Sequence, residues 1–130
     1  MIKLIKGFES ILIGTANAKK LAEFYTKTVG LKQDSAWENP ENKEQGYYLK
    51  AGKGNIYIMD HSKIKGNAKD PNRLIFNVEV DDIEKEVKRL KKAKVKIVAD
   101  VYHMQGYGLI ATLADPDGNY FQFVQVRASK

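Results

Sequence analysis

The strongest constraint on how this chain can fold is its likeness to itself. Ser10–Asn17 matches Ile75–Asp82 at an offset of 65 positions, and Gly54–Ile58 matches Gly118–Gln122 at an offset of 64. The matched segments keep their order, so the chain reads as one small unit written twice. A unit of about 60 residues cannot bury both faces of a curved sheet alone, so the halves are expected to pack together, or against another chain, around a concave groove.

Hydrophobic periodicity gives both halves the same element order. Phe8–Thr15 is apolar and too short for a globular helix, which predicts a strand. Asn17 is placed to cap a helix carrying Leu21, Phe24, Tyr25 and Thr28 at three- and four-residue spacing, and Gly30 ends it. Strands are expected at Leu31–Trp37, Gln45–Lys50 and Gly54–Asp60, the last two joined by a hairpin at the glycines of AGKG. His61–Asn72 lacks periodicity and reads as a connection. Leu74–Val80 then predicts a strand, and Asp82 caps a helix with Ile83, Val87 and Leu90 on one face. Lys96–Tyr102, Leu109–Ala114 and Tyr120–Val126 predict three more strands. The fold class is therefore α+β, two tandem βαβββ modules forming curved mixed sheets around a central cavity. One domain over residues 1–130 holds module 1 at about 6–60, the connection at about 61–72 and module 2 at about 73–127.

Composition excludes several functions. The chain has no cysteine, which removes thiolate catalysis, disulfides, iron–sulfur clusters and cysteine-ligated zinc. Lys3, Lys6 and Glu9 interrupt the apolar opening before a signal-peptide core forms, and no apolar run is long enough to span a membrane. The expectation is a cytoplasmic protein with no membrane partner. Lys and Arg number 22 against 16 Asp and Glu, a net charge of +6. The lysines are dispersed among acids and arginines are few, so no nucleic-acid partner is expected. Asp115-Pro116-Asp117-Gly118-Asn119 has the residues of a tight turn, and its two aspartates read as turn formers. No G-x-S-x-G elbow marks a serine hydrolase.

Three segments together resemble the vicinal oxygen chelate superfamily, which includes glyoxalase I, extradiol dioxygenases, and bleomycin and fosfomycin resistance proteins. LAEFYTKTVGL at Leu21–Leu31 is similar to that family's first-helix motif, FNVEVDDIEKEVKRL at Phe76–Leu90 to its second-module strand and helix, and ADPDGNYFQFVQ at Ala114–Gln125 to its last turn and strand. The resemblance implies paired βαβββ modules around a cavity, often completed by a second chain, with a divalent metal in the enzymes. It places the usual metal-ligand positions at Ser10, Ile75 and Gln122, and the internal repeat suggests Ile58 as the fourth-strand counterpart. Two isoleucines there remove two ligands, so neither metal nor other cofactor is expected, and no catalytic residue is assigned.

What remains is aromatic surface. Trp37, Tyr102, His103 and Tyr107 fall beside loops and are read as a pocket mouth, with Tyr57 on a strand; Ser10 and Gln122 can supply neutral hydrogen bonds. These seven residues are the candidate ligand-binding set, whereas His61, at the end of a strand, and His103 are not read as metal ligands. The expected function is metal-independent binding of a small, partly apolar molecule, neutral or anionic, by a homodimer. A bleomycin-like cation suits a basic protein poorly. The alternatives are a glyoxalase-like lyase, isomerase or dioxygenase with atypical or metal-free catalysis, and a non-catalytic protein-interaction scaffold.

Overall fold

Each half of the chain folds in the strand, helix, three-strand order that the repeat predicts. The computed structural model describes residues 5–126, and these fall into two units that divide between Lys65 and Gly66. In the first, β1 (Ile11–Thr15) leads to helix α1 (Ala18–Glu23), which continues as a π-helical segment over Phe24–Val29. Then come β2 (Lys32–Glu38), β3 (Gln45–Ala51) and β4 (Gly54–Asp60). The sheet order is β1-β4-β3-β2, with β1 parallel to β4 and the other pairs antiparallel. Asn17 caps α1 as expected, its side chain accepting from the Lys20 N–H at 3.1 Å. Gly30 ends the helical segment at φ +106°, a backbone region open to glycine.

The helical segment covers one face of this sheet. Leu21, Tyr25, Leu49, Ile56 and Ile58 are buried, and α1 lies against β1, β3 and β4. Side chains alternate along a strand, so Gly46, Tyr48, Tyr57 and Met59 fall on the opposite face.

The second unit repeats the plan with β5 (Phe76–Glu79), α2 (Ile83–Lys92), β6 (Lys96–Met104), β7 (Gly108–Ala114) and β8 (Tyr120–Val126), ordered β5-β8-β7-β6. Asp82 caps α2 through the Lys85 N–H. Ile83, Val87 and Leu90 are buried, as are Leu113, Phe121 and Phe123. Residues 61–75 hold neither helix nor strand.

Three strand limits differ from the periodicity by two residues or more. β1 begins at Ile11, leaving Phe8 fully exposed, and β5 begins at Phe76, leaving Leu74 exposed. The cause is shared: Ile11 pairs with Ile56 and Phe76 with Phe121, so the positions facing Phe8 and Leu74 already belong to the turns before β4 and β8. β6 runs on to Met104, because the short turn at Gln105–Tyr107, with Gly106 at φ +82°, lets Met104 pair with Gly108.

The pairings also correct the repeat. With Ile11 on Ile56 and Phe76 on Phe121, the structural offset is 65 in the fourth strand as in the first. Tyr57, rather than Ile58, is therefore the counterpart of Gln122. The same offset pairs Asp60 with Gln125, and both do one job: Asp60 Oδ1 accepts from the Ala18 N–H at 2.7 Å, and Gln125 Oε1 from the Ile83 N–H at 2.8 Å. Each side chain ties the end of its module's last strand to the first turn of that module's helix.

Candidate ligand site

The open face of the first sheet is a grid set by strand register. Trp37 pairs with Gly46 and Gly46 with Met59; in the next row Ser35 pairs with Tyr48 and Tyr48 with Tyr57. Leu12 continues that row on β1. Over these two rows lies an open concavity of about 470 Å³ lined by Ser35, Ala36, Trp37, Gly46, Tyr48, Tyr57 and Met59. The rings of Tyr48 and Tyr57 stack with centroids 4.5 Å apart and planes at 26°. Trp37 remains 49% exposed at the rim.

Gly46 makes this arrangement possible by lacking a side chain. A Cβ at that position would lie 2.3 Å from the Tyr57 hydroxyl oxygen and 2.8 Å from Cζ, well inside van der Waals contact. Gly46 is not among the glycines with positive φ, so its role is space rather than backbone freedom. The ring of Tyr57 occupies the room that any other residue at 46 would fill.

A polar cluster fixes Tyr48. Its hydroxyl donates to the carboxylate of Glu9, at 3.1 and 3.3 Å to the two oxygens, and the Ser10 hydroxyl donates to the same carboxylate at 2.7 Å. Asn55 Nδ2 donates to the Glu9 carbonyl at 3.1 Å. The hydrogen bond to Glu9 is the main reason the Tyr48 phenol is raised above its ordinary value of 10.0, since it favours the protonated form. Tyr47, on the helix-covered face, is raised chiefly by burial and then by the charge of Asp60.

Of the seven residues expected to bind ligand, Ser10, Trp37 and Tyr57 lie in the first unit. Trp37 and Tyr57 line the concavity, and Ser10 reaches its edge through Glu9 and Tyr48. In the second unit Tyr102 pairs with Ile110 and Gln122 with Thr112, which puts both on one face of that sheet. His103 pairs with Leu109 and alternates to the other face. Tyr107 sits in the turn, its N–H donating to the Met104 carbonyl. His61 lies just past β4, where its Nδ1 accepts from the Lys63 N–H. Asp115 and Asp117 are turn formers: Asp115 Oδ1 accepts from the Asp117 and Asn119 N–H groups at 2.9 and 3.0 Å.

Ser35, Ala36, Gly46, Tyr48 and Met59 also line the concavity and are not among the seven expected residues, although the sequence carries a signal for Gly46, Tyr48 and Met59. A two-residue turn between Ala51 and Gly54 sets Tyr48 opposite Tyr57 and Gly46 opposite Met59. Ser35 depends on a bulge between Gln33 and Ser35 that periodicity does not reveal.

The metal-ligand positions implied by the family resemblance and the repeat need one correction. Ile58 is fully buried on the helix-covered face, and the β4 residue that shares the open face with Leu12 is Tyr57. The first unit thus offers the Ser10 and Tyr57 hydroxyls. The second offers the hydrocarbon of Ile75 and the amide of Gln122, whose Nε2 donates to Thr112 Oγ1 at 2.9 Å. Neutral hydroxyls, one amide and an alkyl group do not suit a divalent ion. Among the described residues, no group of three or more His, Asp and Glu side chains is placed to hold a metal.

A sequence search of curated proteins returns no match. Solved structures do resemble the fold. The trypanothione-dependent glyoxalase I of Leishmania major superposes with a TM-score of 0.72 at 22% identity, over 89% of this chain and 84% of that one. The glyoxalase family protein from Enterococcus faecalis gives 0.75 at 18% identity, over 95% and 100%. A glyoxylase/bleomycin resistance protein/dioxygenase domain from Frankia gives 0.74 at 16%, over 95% and 99%. At these identities the likeness is one of fold. The model of the Glyoxalase/Bleomycin resistance protein/Dioxygenase superfamily matches residues 7–123, and with the repeated βαβββ architecture in place this chain belongs to that superfamily.

Proposed function

We propose that this chain is a metal-independent small-molecule-binding protein, and that a partly apolar ligand, neutral or anionic, docks on the open face of the first sheet. The observation that carries this reading is the space above Gly46. A residue without a side chain lets Tyr57 lie across the strand, and the resulting concavity is walled by Trp37, Tyr48, Tyr57 and Met59. Exposed aromatic faces beside a few polar atoms bind planar organic molecules through dispersion and burial. A homodimer belongs to the same reading, since β1 is an edge strand with Ile11 48% and Leu12 55% exposed.

The chain has a single tryptophan, so its fluorescence reports on this wall alone. Titration with small aromatic compounds is expected to perturb Trp37 emission and raise the melting temperature of metal-free protein. A ligand present at 100 times its Kd stabilises by about 2.7 kcal/mol, which is several degrees for a chain of this size. Stabilisation by a divalent metal at one equivalent, with no response to any organic compound, would overturn the reading. Native mass measurement tests the dimer.

A further inference from the structure

We infer that the ligand of this pocket carries an anionic group on its aromatic body, and that Lys32 and Lys50 receive it; the inference rests on the pocket proposed above. Lys32 of β2 and Lys50 of β3 are direct cross-strand partners. Directly opposed side chains point to the same face, and two like charges so placed weaken a sheet. Strand alternation puts Lys50 on the face of Gly46 and Tyr48, one step of about 7 Å along β3 from the Tyr48 row. The lysine pair therefore borders the aromatic concavity on its own surface.

Lys50 is oriented without being neutralised. Lys50 Nζ donates to Asn55 Oδ1 at 3.1 Å, and Asn55 is anchored in turn on the Glu9 carbonyl. Among the described residues, the ion pairs that form do not include Lys32 or Lys50. Two acids lie nearby. Glu9 has its carboxylate occupied by the Tyr48 and Ser10 hydroxyls, and Asp34 is the extra residue at the β2 bulge. A carboxylate or similar oxyanion bridging the two ammonium groups would relieve their repulsion and form charge-assisted hydrogen bonds, while its ring extends over Tyr48, Tyr57 and Trp37.

The test compares two nitroaromatic quenchers of Trp37, 4-nitrobenzoate and 4-nitrobenzyl alcohol, on the full chain at low and high salt. The anion is expected to bind roughly tenfold tighter at low salt, with the preference fading as salt screens it. In Lys32→Gln/Lys50→Gln the two probes should bind alike, with the alcohol unchanged. That variant should also melt slightly higher than the parent, because the repulsion is gone, so lost anion binding cannot be attributed to unfolding. Equal binding of both probes to the parent, or a preference that survives in the double variant, overturns the lysine assignment and leaves the pocket standing. Failure of both probes to reach Trp37 overturns the pocket reading and this inference with it.

Discussion

Gly46→Ala probes the site where one methyl group meets one ring. The added Cβ would sit 2.3 Å from the Tyr57 hydroxyl oxygen, 2.8 Å from Cζ and 3.0 Å from Cε1. Such contacts cannot persist, and strand backbone is harder to move than a side chain, so Tyr57 must swing away. Its stack on Tyr48 is then lost, at a cost of about 0.5–1.5 kcal/mol. Against this, alanine orders more cheaply than glycine in a strand, by about 0.5–1 kcal/mol. The two effects nearly cancel, so the melting temperature should change by no more than a few degrees. The pocket wall, however, is displaced. Near-ultraviolet circular dichroism should show the loss of the tyrosine pair, and aromatic probes should no longer quench Trp37. Removing the obstacle reverses the sign: in a Tyr57→Ala background, Gly46→Ala should stabilise by about 0.5–1 kcal/mol. Additive effects of the two substitutions, or an unchanged tyrosine signal in Gly46→Ala, would refute the claim that Gly46 exists to seat this ring.

Three further substitutions test other parts of the account. Asp60 accepts from two backbone N–H groups, Ala18 at 2.7 Å and Gln45 at 2.8 Å, whereas its counterpart Gln125 accepts from Ile83. Denaturant titration should therefore find Asp60→Ala costing about 2–4 kcal/mol and Gln125→Ala about half that; equal costs would refute the claim that the second bond of Asp60, from the Gln45 N–H, adds stability. Ile58→Glu places a charge at a fully buried position and should prevent folding, while Tyr57→Glu on the open face should yield folded protein by circular dichroism. For Tyr48, the folded phenol titrates above 10.0, mainly through its hydrogen bond to Glu9. The unfolded chain thus releases this proton first, and stability should fall as pH rises from about 10 through the folded value. Glu9→Gln should bring the Tyr48 absorbance titration back toward 10, and an unmoved curve would refute the assignment.

The element order was legible because each signal for it is local. Asn17 and Asp82 mark helix starts, Gly30 marks a helix end, and the apolar spacing of Ile83, Val87 and Leu90 survives in the folded core. The strand limits at Phe8 and Leu74 were less so, since a strand continues only while a neighbour continues, and the neighbours there are turns. The π-helical turn at Phe24–Val29 left no trace in the spacing of Leu21, Phe24, Tyr25 and Thr28, which suits an α-helix equally well.

The site shows why a one-residue error in a sheet differs in kind from one in a loop. Matching Gly54-Asn55-Ile56 to Gly118-Asn119-Tyr120 is natural by residue type and gives an offset of 64, yet β7 and β8 are joined by a five-residue turn where β3 and β4 have two. The likeness therefore aligns the first residues of β4 with the end of the longer turn, and the strands beyond it slip by one. Because side chains alternate with a period of two, that slip exchanges the covered and open faces. It puts a core isoleucine, Ile58, at the position equivalent to Gln122 that Tyr57 holds. Restoring the offset of 65 changes the chemistry at that position from a hydrocarbon to a phenol stacked on Tyr48 and seated over Gly46. The aromatic wall and the polar Glu9 cluster then become parts of one surface, which favours a ring-binding face over a metal-binding one on the first sheet.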